Sequence, residues 1–259
     1  MRALALSFAA LLVSSANFLG TEVHVAPKPT PSEPPPGPSV SPVPALPQYR
    51  PALLGTGPFS VINRVDTQKL ISEGQKDATL LFCCSVNKVG EITKAWVYRA
   101  SPDSTALEKE ILFCLDTAVF VPAVFNHEIV HVLFYGAVDF RIVNGKPRLR
   151  IFANQDTEEL KKESDFVGPQ PFVGRGSKFE GLHYPNDVLT GVLSGLVELA
   201  LKIDADGNLK ELKLVSEYPP LAGFGRAATE DFKVARFIPA FRDGKPVECN
   251  ITLPVYYEP

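Results

Sequence analysis

The first pattern that could carry chemistry is a histidine–glutamate motif, His127-Glu128-x-x-His131. On a helix, two histidines four positions apart face the same way and can bind one zinc ion, while the glutamate acts as a general base in zinc peptidases. A zinc metallopeptidase is therefore the alternative function for this chain. Stoichiometric zinc that is lost in a His127→Ala variant would identify it.

The sequence around this motif argues against a helix. Residues 129–135 are mostly β-branched or aromatic, which favours a strand. Positions four apart in a strand are separated by about 13 Å, too far for both histidines to bind one zinc ion. Phe134 also stands where the longer form of the zinc motif has glycine. We therefore predict a protein that is not an enzyme, with no catalytic residues, no metal and no cofactor.

The four cysteines form a second candidate group. Cys84 shares the inward parity of a predicted strand, and Cys114 lies beside the apolar face of a predicted helix. A Cys84–Cys114 disulfide across the core is one hypothesis for an exported chain. The other is that all four cysteines are buried as small apolar side chains.

The elements that position these residues occur twice. Phe120-Val121-Pro122-Ala123 reappears 117 positions later as Phe237-Ile238-Pro239-Ala240, and the same offset aligns Gly90 with Gly207. About sixty residues keep this register without a gap, which indicates two copies of one domain. The offset aligns the histidine–glutamate motif with residues 244–248, at the start of a predicted strand.

Each copy is predicted to fold as helix, strand, strand, helix, strand. Apolar alternation predicts strands at 80–86 and 129–143, and helical spacing predicts a helix at 102–118. Asn144-Gly145 predicts a hairpin that adds a strand to the first copy. The second copy repeats the order, with strands at 197–203 and 247–257 and a helix at 221–237. The fold class is α+β: two tandem small domains, each a three- to four-stranded antiparallel sheet with two helices packed on one face.

Composition divides the rest of the chain. Residues 1–16 combine a positive start, an apolar run and small residues, and they predict a cleaved signal peptide; an uncleaved inner-membrane anchor is the alternative. Residues 17–51 are predicted to be a proline-rich linker. The two domains are then 52–153 and 169–259, joined by a polar linker at 154–168. A net charge of -3 without a basic stripe excludes nucleic acid as a partner.

The second copy resembles the C-terminal domain of the TonB family over residues 184–257. In that family Tyr-Pro opens the first helix, Gly and alternating apolar residues form the first strand, and Asp-Gly makes the turn. A Ser closes the second strand, and an aromatic-x-Pro ends the second helix before the last strand. The matching residues are Tyr184-Pro185, Gly195-Leu196-Val197, Asp206-Gly207, Ser216, Phe237-Ile238-Pro239 and Gly244-Lys245-Pro246-Val247. A short helix is expected from Tyr184 to about Leu193. The first copy looks like a diverged member, with Thr67-Gln68 in place of Tyr-Pro.

The resemblance implies a periplasmic protein-binding module. In the TonB family this domain captures an extended segment of an outer-membrane receptor by strand addition beside its last strand. The implied partner is an outer-membrane or other envelope protein, and the implied setting is TonB-type transport across the membrane. A homodimer through the same strand edges is the other expectation. The residues expected to form the binding edge are Val247, Glu248, Cys249, Asn250, Ile251, Thr252 and Leu253.

Overall fold

The computed structural model describes residues 45–162, 164–186 and 193–258. The predicted signal peptide, most of the predicted proline-rich linker and most of the short helix expected at 184–193 lie outside these residues. The described helices are α1 Val61–Arg64, α2 Thr67–Ser72, α3 Thr105–Asp116, α4 Thr157–Lys162 and α5 Phe224–Phe232. The strands are β1 Tyr49–Arg50, β2 Ala78–Val86, β3 Ile92–Ala100, β4 Ala123–Phe125, β5 Glu128–Val143, β6 Lys146–Phe152, β7 Gln170–Val173, β8 Gly195–Ile203, β9 Leu209–Tyr218, β10 Arg236–Ile238, β11 Ala240–Arg242, β12 Lys245–Val247 and β13 Cys249–Tyr257. The predicted α+β class is confirmed.

In the first half, β2 lies between β3 and β5 in an antiparallel sheet. The alternating apolar side chains predicted for β2 and β5 are buried on one face, against the apolar side of α3. The helix is shorter than the predicted 102–118, because Asp103 has a left-handed φ of 59° and cannot continue it.

The predicted hairpin at Asn144-Gly145 is confirmed. Both residues have positive φ, as a two-residue hairpin turn of this kind requires, and β6 pairs with β5 on the side away from β2. The hairpin therefore covers part of the outer edge of β5.

In the second half, β8 lies between β13 and β9 in a three-stranded antiparallel sheet, and α5 packs on it. The predicted helix at 221–237 was too long at both ends. Gly223 is left-handed at the start, and Arg236–Ile238 leave the helix to form β10.

Backbone details recur at the offset of 117. The β-bulges of the first half at Leu81/Phe82 and Ser85/Val86 correspond to those of the second at Glu198/Leu199 and Lys202/Ile203. The N–H of Phe120 donates to the carbonyl of Gly90, and the N–H of Phe237 donates to that of Gly207. The repeated phrase thus marks the same local geometry in each half.

The two halves interlock. The strand β7 pairs with β5 at His131–Val132 and also with β10, so the second half contributes strands to the first-half sheet. The strand β1 lies within the stretch assigned to the proline-rich linker, and α4 lies within the polar linker at 154–168. The domain boundaries given above stay a prediction, since the described residues form a single compact unit.

Candidate functional site

The predicted binding edge centres on β13, which pairs with β8 on one side. On its other side, no strand of the described residues pairs with it. Of the seven residues predicted to form the edge, the last five, Cys249 to Leu253, lie in this strand. The strand continues to Tyr257, beyond the predicted set.

The first two predicted residues lie before the edge strand. Val247 pairs with Ala240 in the short β11–β12 hairpin. Glu248 lies between β12 and β13, and its carboxylate is 3.5 Å from the ammonium group of Lys202. The pattern of alternating apolar residues runs through this break, so the sequence alone predicts one continuous strand.

The direction of the β13 backbone groups follows from β8. The N–H of Asp204, just after β8, donates to the carbonyl of Asn208 at 3.0 Å, so Asp204 faces the β9 side. Successive residues of a strand face opposite sides, so Leu199, Leu201 and Ile203 face β13. Their partners are Leu253, Ile251 and Cys249. The even-numbered residues of β13 therefore direct their N–H and C=O groups to the open edge.

Pro254 supports this assignment independently. Proline has no N–H to donate, and within sheets it occupies positions where the missing donor faces an open edge. Pro254 has the outward parity. The open edge thus presents the N–H groups of Asn250, Thr252 and Tyr256, together with the carbonyls of the same residues and of Pro254. Pro254 and Tyr256 were missed from the sequence, although a proline inside an otherwise apolar strand was a signal for an edge.

The corresponding edge of the first half is partly filled by the chain itself. The outer side of β5 pairs with β7 at His131–Val132 and with β6 from Ala137 to Val143. Both partners run antiparallel to β5. The first-half strand that is equivalent to β13 therefore already has antiparallel strands paired with its outer edge.

A cavity of about 160 Å³ opens beside β13, between the second-half sheet and the first half. Thr252 and Pro254 form one wall, and Gln155, Asp156 and Thr157 lie in another part of the lining. Arg99 and Glu198 also line it and form a 2.7 Å ion pair. The cavity lies beside the outward-facing residues of the edge strand.

Hydrogen bonds hold the segment that carries Gln155 in place. The side chain of Asn154 donates to the carbonyl of Phe166, and Asp156 caps α4 by accepting from the N–H groups of Glu158 and Glu159. Glu159 accepts two hydrogen bonds from Arg242 at 3.0 and 2.9 Å. The Arg242 guanidinium lowers the pKa of Glu159 to about 2.

Residues 180–259 match the family described as Gram-negative bacterial TonB protein C-terminal. This match supports the TonB C-terminal family for the second half. That family is an envelope-associated family of protein-interaction domains, and it is not an enzyme family. No curated protein is significantly similar to the chain. Within 45–162, 164–186 and 193–258, no helix is long and apolar enough to cross a membrane.

Outside the TonB C-terminal match, the histidine–glutamate motif lies on a turn and a strand, as expected from its β-branched context. His127 has a left-handed φ of 65° and its Nδ1 is 2.7 Å from the carbonyl of Leu46. His131 lies in β5, and its Nε2 is 2.8 Å from the hydroxyl of Ser85. The helical geometry that the zinc peptidase mechanism needs is not formed.

The thiols of all four cysteines are free in the structure. Burial raises the pKa of Cys114 to about 11 and that of Cys249 to about 12, so neither is a reactive thiolate at neutral pH. Cys84 and Cys114 belong to the same buried cluster. A disulfide between them stays a prediction.

Proposed function

We propose that this protein is an exported periplasmic binding module that captures an extended segment of an outer-membrane or other envelope protein. The segment adds as an antiparallel strand beside β13. The observation that carries the proposal is the open edge of β13 within the part of the chain that matches the TonB C-terminal family. Its role in TonB-type transport is the setting that the family match favours.

The edge supplies affinity through backbone hydrogen bonds. The N–H groups of Asn250, Thr252 and Tyr256 are not paired with another strand of the described residues, and an extended peptide offers a carbonyl to each. Each such bond contributes about 0.5–1.5 kcal/mol net. Specificity comes from ligand side chains that alternate in direction, because every second one faces the cavity lined by Thr252 and Pro254.

The first half is proposed to be a diverged copy of the same domain. The recurring bulges and the shared Gly90 and Gly207 geometry support this relationship. Its own edge strand is partly occupied by β6 and β7, so the binding site is assigned to the second half. The first half then supports that site by packing on the second-half sheet.

The test uses linear twelve-residue peptides selected on the purified protein from a random display library. A Thr252→Pro variant loses one outward N–H without losing a bond to β8, and we expect it to bind selected peptides about tenfold or more weakly. The matched Thr252→Ala variant keeps the N–H and is expected to keep the affinity. Equal affinity of wild type and Thr252→Pro would overturn strand addition at β13.

The competing occupant of the edge is a second copy of this chain. Light scattering distinguishes the two cases. A dimer that becomes a monomer in Thr252→Pro, together with no selectable peptide, would replace the binding proposal with edge-to-edge dimerisation.

A further inference from the structure

Gln155 is a buried side chain whose amide has no hydrogen-bond partner among the described residues. It is 6% exposed, and neither its Nε2 nor its Oε1 atom is paired. It lines the cavity that Thr252 and Pro254 share with the first half. A carboxamide can donate two hydrogen bonds and accept two, so Gln155 has unused donor and acceptor capacity in the wall of this cavity.

The other two buried glutamines are hydrogen-bonded through both amide atoms. Gln170 accepts from the N–H of Ala52 at 2.7 Å and donates to the carbonyl of the same residue at 3.0 Å. Gln75 accepts from the N–H of Leu107 and donates to the carbonyls of Lys76 and Asp103. In both cases the side chain binds backbone peptide groups. Gln155 is the exception among these three.

The hydroxyl of Tyr98, which lines the same cavity, is also buried without a partner among the described residues. Burial raises the pKa of Tyr98 well above its ordinary value, so the hydroxyl stays protonated and can donate. Buried polar groups are nearly always hydrogen-bonded, and exceptions often mark functional sites. Two such side chains around one cavity indicate a polar ligand group.

We infer that Gln155 binds a peptide group of the captured segment, accepting from one N–H and donating to one C=O. This inference rests on the proposed strand addition at β13. The ligand strand then lies between two sets of hydrogen-bonding groups. The β13 backbone binds the groups that face it, and Gln155 binds a group on the other side, as Gln170 binds Ala52.

The backbone next to Gln155 is fixed before the ligand arrives. Asn154 is tied to Phe166, and Asp156 caps α4, whose Glu159 is held by Arg242. The backbone of this segment therefore needs little ordering on binding, which preserves affinity. The Gln155 side chain itself must turn toward the ligand, because both of its amide atoms are buried. The arrangement favours recognition of an extended backbone over recognition of one particular side chain.

The first test measures stability without a ligand. Replacing Gln155 with leucine removes an unpaired buried amide, so the urea midpoint of unfolding is expected to stay the same or rise. The matched Gln170→Leu variant leaves the Ala52 peptide groups unpaired, so its midpoint is expected to fall. A fall for Gln155→Leu as large as that for Gln170→Leu would overturn the inference, because the amide would then have a structural role.

The second test measures binding of the peptides selected on the wild-type protein. Gln155→Leu is expected to weaken binding about tenfold. An ester scan of the peptide, which replaces one backbone N–H at a time, is expected to find one position that is sensitive with wild type and insensitive with Gln155→Leu. No such coupled position would overturn the role of Gln155.

The Thr252→Pro variant separates this inference from the proposed function. If Thr252→Pro loses binding while Gln155→Leu binds as wild type does, strand addition stands and the role of Gln155 is wrong. If both variants bind as wild type does, strand addition itself fails.

Discussion

A pair of proline substitutions at neighbouring positions of β13 tests the direction of its backbone. The N–H of Ile251 faces Leu201 on β8, whereas that of Thr252 faces the open edge. Proline removes the N–H in either case. Only at Ile251 does this break a bond within the protein, so the two variants should differ strongly in stability.

The size of the difference follows from burial and bonding. Ile251 is 4% exposed, so Ile251→Pro loses a ladder hydrogen bond and part of a packed side chain, at a cost of about 3–4 kcal/mol. Thr252 is exposed, and Pro254 shows that this strand accepts proline at an outward position. We expect Thr252→Pro to cost about 1 kcal/mol or less.

Urea unfolding, followed by Trp96 fluorescence and far-ultraviolet circular dichroism, measures both variants. With a slope of about 2–3 kcal/mol per molar urea, Ile251→Pro should lower the midpoint by about 1 M or more. Ile251→Ala is the control that removes side-chain packing and keeps the N–H. If Thr252→Pro were the less stable variant, the assigned direction would be off by one residue, and the binding edge would present the odd-numbered residues.

Three further predictions concern the framework of the site. Gly207→Ala should destabilise the fold by about 3 kcal/mol or more, because a Cβ at this position, where φ is +76°, would clash with the carbonyl of Phe237. Gly145→Ala is the control: φ is similar at +73°, but the added Cβ meets no atom, so the cost should be about 1 kcal/mol. The two melting temperatures distinguish these cases. The Arg242 guanidinium lowers the folded-state pKa of Glu159 to about 2, against about 4.3 in the unfolded chain. The ionised carboxylate therefore stabilises the fold at pH values above the unfolded pKa, by about 1 kcal/mol at this partly exposed ion pair, and this contribution is lost as the pH falls from about 5 to about 2. A Glu159→Gln variant with the same acid dependence as the wild type would contradict this. Thiol titration of the denatured, unreduced protein should count two thiols if Cys84 and Cys114 are bonded, and four would remove the disulfide hypothesis.

The strands were predictable because alternation records burial directly. In β8 the apolar residues alternate in the sequence and are buried alternately in the structure. In β5, residues 132–138 are all buried, because both faces of that strand are covered. Helix ends were less predictable. Apolar spacing continues past the last turn of α5, where Arg236–Ile238 instead pair with β7. That pairing joins residues far apart in the chain, so it cannot be predicted from the local pattern of apolar residues.

The candidate site was predictable only in part. The sequence placed the edge on the last strand, but the break at Glu248 and the outward direction of Thr252 depend on tertiary hydrogen bonds. Gln155 lay in a stretch assigned to a polar linker, where a glutamine suggests a solvated side chain. Its burial beside Thr252 follows from how the two halves pack, which single-sequence patterns do not specify.

The difference between the edges of β5 and β13 supports a binding role for the β13 edge. An unpaired strand edge is a template for aggregation, and proteins usually cover it or interrupt it. The edge of β5 is covered in part by β6 and β7, while in the described residues β13 is interrupted only by Pro254. The buried amide of Gln155, which has no partner among the residues that the structure describes, adds a free-energy cost to the unliganded state. A bound strand would pair the open edge of β13 and the Gln155 amide together, and this is the physical reason to expect a ligand there.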